Sequence, residues 1–248
     1  MPQKIDKGHC LTCPVRQFSI FSDLPEVSLE ETIKDFHTSV ITFDSGEPIF
    51  HENDDSSKHA FTLRNGLVKL TKSLPDGRVQ IIRILTPGDL FGFDGFAKEN
   101  YNHTATALTK CEVCSLPVDD LATLRENNNE VDQAMMSRFI KNLRQSEDML
   151  LELGAKRASE KLASFILNLS KSCCNEKLGH KKQDEWIKLP LSRSEIGSLL
   201  GLTIETVSRF FSDWKRKGFI KESKGNIQIL DANGLISTAC SSGACEES

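Results

Sequence analysis

At 248 residues, 38 % of them hydrophobic and 27 % charged, the chain can form two globular domains or one large one with an adequate core. No apolar run is long enough to cross a bilayer, and Met1-Pro-Gln-Lys-Ile-Asp-Lys7 lacks the apolar stretch of a signal peptide; the expectation is a cytoplasmic protein with no membrane partner. A net charge of −4 excludes a protein that coats nucleic acid indiscriminately, and eight cysteines in that compartment point to metal or redox chemistry before structural disulfides.

Residues 8–20 read Gly-His-Cys-Leu-Thr-Cys-Pro-Val-Arg-Gln-Phe-Ser-Ile. Cys10 and Cys13 put two soft sulfur donors within reach of one metal or cluster. Alone, the spacing also fits a zinc site, a redox pair or chance.

From about Val40 to Pro117 the pattern is one of short alternating strands, such as Val40–Phe43, Ala60–Leu63, Leu67–Leu70 and Arg78–Leu85. Asn65-Gly66, Pro75-Asp76-Gly77 and Pro87-Gly88-Asp89 punctuate them as tight turns. Many short strands at this spacing predict a sandwich or jelly roll. Between the Gly88-Asp89-Leu90 turn and Asn102-His103-Thr104 there is no Arg to hold a phosphate, which argues against bound cyclic AMP. His103 reads as a loop or barrel residue in preference to a haem ligand.

Cys111 and Cys114 make a second Cys-x-x-Cys. Within one strand, residues three apart face opposite sides, so both can ligate one group only if Cys111 lies in the preceding turn. Both also read as buried cysteines acting as small apolar residues.

Residues 128–157 read as one long helix. Met136, Leu143 and Leu150 recur every seven residues, with Phe139, Ser146 and Leu153 beside them, as in a coiled-coil dimer seam or one face of an intramolecular core. Glu147 and Asp148 beside the seam would weaken the dimer. The segment up to Gly154 can continue into a helix through Ala158, Phe165 and Leu169. Cys173-Cys174 then opens a polar stretch, read as a surface loop, and the tail with Cys240 and Cys245 reads as disordered.

The strongest signal is LSRSEIGSLLGLTIETVSRFFSDW, residues 191–214. Ser192 and Glu195 form a capping box ahead of Ile196, Leu199 and Leu200, and Gly201 ends that helix. Thr203 caps a second helix whose apolar face is Ile204, Val207, Phe211 and Trp214. Glu205, Ser208, Arg209 and Ser212 line its other face, and such side chains suit base edges: Arg to guanine, Glu to cytosine, Ser to either. A hairpin turning at Gly225 follows, with Lys215, Arg216, Lys217, Lys221 and Lys224 placed to hold phosphates. The bland alternative is a small helical hairpin with a solvated face. A winged helix-turn-helix binding double-stranded DNA is the better reading, with Glu205, Ser208, Arg209, Thr203, Ser192 and Arg193 as candidate contacts.

These last residues resemble the helix-turn-helix signature of the cyclic-AMP receptor protein (CRP) family. Glu205-Thr-Val-Ser-Arg209 looks like its fumarate–nitrate reductase regulator (FNR) branch, which reads TTGAT-type half-sites with the Glu, Ser and Arg matching Glu205, Ser208 and Arg209. The resemblance implies an α+β chain: an N-terminal cyclic-nucleotide-binding-type β-roll, a long dimerisation helix and the winged helix-turn-helix. It implies an iron–sulfur cluster, [4Fe-4S] in that branch, on Cys10, Cys13 and Cys114, with RNA polymerase and a second copy of the chain as partners. The third N-terminal cysteine of the branch is Ser19 here, so the fourth ligand stays open, Cys111 being one candidate. The expected layout is a sensory segment at 1–22, the roll at 23–125, the helix at 126–157, the DNA-binding domain at 158–237 and a flexible tail at 238–248. A thiol–disulfide switch or a cluster-free regulator remain as alternatives. No nucleophile–base set or phosphate loop suggests an enzyme, so no catalytic residue is assigned.

Overall fold

The computed structural model describes residues 3–7, 10–22, 29, 36–54, 58–173 and 186–239, with backbone alone at 3–7 and 171–173. It divides into two compact units, Met1–Gln145 and Ser146–Ser248.

The first unit is built on nine strands among the described residues: β1 (Gln3–Lys7), β2 (Ser39–Phe43), β3 (Pro48–Phe50), β4 (His59–Asn65), β5 (Val68–Ser73), β6 (Val79–Leu85), β7 (Leu90–Phe91), β8 (Thr104–Ala107) and β9 (Cys111–Pro117). They form a five-stranded sheet, β1-β2-β9-β4-β7, and a four-stranded sheet, β3-β8-β5-β6. Turn chemistry sets the hairpins. Between β5 and β6, Leu74 N–H donates to the Arg78 carbonyl at 2.8 Å while Asp76 accepts from the Arg78 N–H at 3.0 Å.

Strand alternation then sorts side chains into two cores. One is the roll interior, where Phe43, Phe50, Phe61, Leu63, Phe91, Tyr101, Cys111 and Val113 pack together. Phe50 stacks on Tyr101 with ring centroids 3.9 Å apart, and the Tyr101 hydroxyl donates to the His59 carbonyl at 2.7 Å. The other core lies on the opposite face of the five-stranded sheet. It joins Cys10, Ile20, Phe21, Ala60, Leu90 and Leu116 to Leu121, Leu124, Val131 and Met135. Those last four belong to α1 (Val118–Asn127) and α2 (Asn129–Ala155).

Helix α2 ends at Ala155, and the expected helix through Ala158, Phe165 and Leu169 follows as a separate element, α3 (Ala158–Cys173). The large apolar side chains that α2 exposes are Met136, Ile140, Leu143, Leu150 and Leu151. The row beside the heptad positions is therefore led by Ile140 and not by Phe139. Phe139 is claimed by its own unit, packing against Phe93 at 4.8 Å between centroids.

The second unit holds α3, β10 (Ile187–Lys188), α4 (Arg193–Leu200), α5 (Ile204–Arg216), β11 (Ile220–Ser223), β12 (Asn226–Ile229) and α6 (Ala232–Ala239). A three-stranded sheet, β10-β12-β11, makes the wing. The strand β10 and the helix α6 were not expected, and α6 carries structure into the start of the supposed tail. Helix α3 also runs through Cys173, where a loop was expected. Cys174, Cys240 and Cys245 lie outside the described residues.

Candidate DNA-reading helix and cysteine recess

The cysteine recess is assembled from the N-terminal loop and from β4 and β9. The loop folds on itself: Cys13 N–H points to the Cys10 carbonyl at 3.5 Å, and Arg16 N–H donates to the Cys13 carbonyl at 3.0 Å. A 3-10 turn at Arg16–Phe18 follows. The Ser19 hydroxyl donates to the Arg16 carbonyl at 2.8 Å and accepts from Phe21 N–H at 3.1 Å. From α2, Arg138 donates to the Ser19 carbonyl at 3.3 Å. Gly88, at φ +97°, lets the β6–β7 turn press on this loop; a Cβ there would sit 2.5 Å from Phe18 Cβ.

Cys114 stands on β9 opposite Val40 of β2 and Thr62 of β4. It shares a recess of about 360 Å³, counted to its open mouth, with Cys10, Cys13, Ser19, Thr62 and Arg64, over an apolar wall of Ile20, Phe21 and Leu116. Burial pushes the Cys10 thiol up to about 11 and the Cys114 thiol up to about 12, each helped by the charge of neighbouring cysteines. Thr38, by hydrogen bonding, and Arg64, by its charge, act in the opposite direction on both. Three of the four candidate ligands thus come together.

Cys111 does not join them. It lies within β9 and not in the preceding turn, paired with Phe43, and faces the roll interior beside Val113. Burial raises its thiol to about 11. The alternation that sends Cys114 to one face sends Cys111 to the other, so Cys111 is withdrawn as a ligand. Among the described residues, no three His, Cys, Asp or Glu side chains are arranged to close on a single metal ion. Thr38, Arg64 and Arg138 were not singled out from the sequence; they reach the recess through strand pairing and helix packing that no local motif encodes.

The Gly88-Asp89-Leu90 turn is engaged internally. Asp89 accepts from Thr86 N–H at 2.8 Å and pairs with Arg83 at 3.5 Å. Arg83 also donates to Asn142 at 2.9 Å and to Gln145. His103 has a buried Nε2 without a hydrogen-bond partner among the described residues, and burial lowers its pKa.

In the second unit, α4 starts with the expected capping box: Ser192 Oγ accepts from Glu195 N–H at 3.2 Å, and Glu195 accepts from Ser192 N–H at 2.9 Å. It ends at Gly201 with φ +64°, the left-handed conformation a glycine permits. Thr203 caps α5 by accepting from Thr206 N–H at 3.2 Å. Val207, Phe211 and Trp214 are buried beneath α5; Ile204, expected with them, is 47 % exposed. Glu205, Arg209 and Ser212 are exposed and Ser208 is half-buried, so the reading row stands at the surface.

Arg193 does not stand there. Its guanidinium lies 3.2 Å from the centroid of the Phe211 ring and pairs with Glu222 of the wing, leaving the side chain 20 % exposed. In the DNA-free chain it ties α4 to the wing. Lys215 joins the same Glu222 at 3.1 Å, while Arg216 and Lys217 both pair with Asp213. The wing turns through Lys224-Gly225, both at positive φ, as a two-residue hairpin loop should. Lys221 and Lys224 have no acidic partner among the described residues.

A family model described as the cyclic nucleotide-binding domain matches residues 40–128, and one described as the Crp-like helix-turn-helix domain matches residues 160–238. The nitrogen fixation regulation protein FixK of Bradyrhizobium diazoefficiens is 33 % identical over 230 residues, 90 % of this chain and 91 % of FixK. This chain belongs to the CRP/FNR family of transcription regulators.

Among other CRP/FNR proteins, the anaerobic regulatory protein of Haemophilus influenzae is 31 % identical over 244 residues, 94 % of this chain and 90 % of that protein. The solved structure of FixK2 from Bradyrhizobium japonicum superposes with a TM-score of 0.70 at 27 % identity, covering 81 % of this chain and 96 % of that one. CRP/FNR proteins regulate transcription, bind DNA and act as dimers; they are not enzymes. Among the described residues, no helix is long and apolar enough to cross a membrane.

Proposed function

We propose that this chain is an FNR-type regulator that binds TTGAT-like palindromes as a homodimer, contacts RNA polymerase there, and senses oxygen or redox state through an iron–sulfur cluster. The carrying observation is the convergence of Cys10, Cys13 and Cys114 in one recess against the N-terminal half of the long helix. Their donors fit the group in kind. Cys10, Cys13 and Cys114 line one recess and offer the thiolates that iron–sulfur clusters take as ligands. The fourth position has no cysteine among the described residues, because Cys111 faces the other core. Ser19 lines the recess with its hydroxyl already engaged at both ends.

When bound, the group would supply an oxidant-labile tie between the N-terminal loop and β9. The protein's own part is to carry that state to the dimer. Ile20 and Phe21 pack with Val131 and Met135 of α2, and Arg138 holds the Ser19 carbonyl, so the loop's position biases the helix that bears Met136, Ile140, Leu143 and Leu150. Two α5 helices brought about 34 Å apart would then read one palindrome, through Glu205, Ser208 and Arg209.

The test is anaerobic purification with iron and acid-labile sulfide analysis, followed by a gel shift on a TTGAT palindrome. About four iron and four sulfide per chain, with DNA binding lost after exposure to air, is the expected result. An iron-free chain that binds the palindrome equally with and without oxygen overturns the sensor. The same recess also favours a second reading, a disulfide of Cys114 with Cys10 or Cys13, which a two-dalton mass loss under non-reducing conditions would reveal.

A further inference from the structure

Arg64 is the unusual member of the recess. On β4, Leu63 pairs with Val113 and Asn65 with Glu112, so the register slips by one residue at Arg64. A bulge of this kind re-aims the side chain of the extra residue. Here it brings the guanidinium to the recess that holds Cys10, Cys13 and Cys114. Its Nε is out of contact with solvent and has no hydrogen-bond partner among the described residues. Buried donors in native proteins are nearly always paired, so an orphan donor on a residue that lines a pocket points to an acceptor that belongs there.

The chemistry of the pocket says what kind of acceptor. Three thiolates around an iron–sulfur core put negative charge in a recess walled by Ile20, Phe21 and Leu116, and such charge needs a counter-charge or hydrogen bonds to persist. The other polar side chains offer less. Ser19 already donates to the Arg16 carbonyl, and Thr62 is neutral.

We infer that Arg64 is the hydrogen-bond donor and counter-charge for the thiolate-bound group on Cys10, Cys13 and Cys114, a positioning and tuning residue that is not itself a ligand. This rests on the cluster reading above. Hydrogen bonds to cluster sulfurs and nearby positive charge favour the reduced, more negative state and raise the reduction potential. Arg64 thereby sets how readily an oxidant removes an electron from the site.

The full-length chain, its Arg64→Leu variant and its Arg64→Gln variant are purified without oxygen. Iron, sulfide and midpoint potential are measured, and the visible absorbance is followed after mixing with air-saturated buffer. Wild type and both variants should load iron and sulfide. The potential should fall in both, further for leucine, which loses charge and donor, than for glutamine, which loses charge alone. Loss of absorbance in air should be several-fold faster in the leucine chain. If the leucine chain does not load, the glutamine chain carries the same comparison. Loaded variants with wild-type potential and wild-type decay overturn the role of Arg64. A wild-type chain without iron and sulfide overturns the cluster reading itself, which is a different result.

Discussion

The reading helix and the cysteine recess are built on opposite plans. Helix α5 is held by local bonds: Thr203 caps it, Val207, Phe211 and Trp214 seat it, and its reading row faces outward. The recess takes its residues from three distant stretches and keeps thiols whose burial favours the uncharged form, beside an Arg64 Nε with no partner among the described residues. A completed, self-sufficient surface can bind DNA whenever it is presented. A buried set with groups left over depends on what enters it. In this protein the helix-turn-helix is internally complete and the cysteine recess is not.

The largest effect that separates the two belongs to the seat of the reading helix. Trp214 is among the largest side chains to be almost wholly buried, so Trp214→Ala should cost about 3–5 kcal/mol by transfer and cavity terms. Hydrogen exchange should show the loss confined to the second unit, with β4 and β9 amides protected as before; equal loss in both units would mean the plans are not separate.

Arg209→Ala comes next, and should touch binding without folding. The side chain is exposed, so the unfolding midpoint should stay in place while DNA affinity falls by about 1–3 kcal/mol and preference at one base position relaxes. Competition gel shifts across single-base variants of the palindrome check both parts. Undiminished selectivity would remove Arg209 from the reading row.

Ser19→Ala asks whether the recess is as unfinished as its hydrogen bonds imply. Ser19 Oγ closes a turn between Arg16 and Phe21, so its loss should cost about 1 kcal/mol of local stability. Iron and sulfide per chain should stay at the wild-type level. A cluster lost specifically in this variant would make Ser19 the fourth ligand.

The same contrast decides what was legible in the sequence. The capping box at Ser192 and Glu195, the stop at Gly201 and the turn at Gly225 are short-range devices, so the winged helix-turn-helix could be read residue by residue. The β-roll was legible as a class, because turns and alternation announce short strands. What escaped was set by distant partners. β1 and β10 exist because β2 and β12 offer them edges. Nothing near Arg193 in the sequence announces Glu222, which reaches it from the wing. Met136 has Phe139 and Ile140 as equivalent neighbours on a helix, and only Phe93 decides between them. The cysteines sit between these cases: alternation alone warned that Cys111 and Cys114 would part, but where β9 starts settled it.

Cys111 gives the smallest and most discriminating test, because it shares a strand with a proposed ligand and not its core. Cys111→Ala should leave iron and sulfide content unchanged and cost about 1 kcal/mol at neutral pH, the worth of a small buried group. Its pH dependence should be distinctive. Burial raises the folded thiol from the ordinary 9.0 to about 11, so between these values the unfolded chain ionises first and binds fewer protons. The stability this thiol contributes is therefore complete below pH 9 and drains away as pH rises towards about 11. The alanine chain lacks that slope. Urea midpoints for the two should start apart at neutral pH, converge above pH 9 and cross before pH 11. Parallel curves would mean that Cys111 titrates as in the unfolded chain and that the roll interior is open to water at β9.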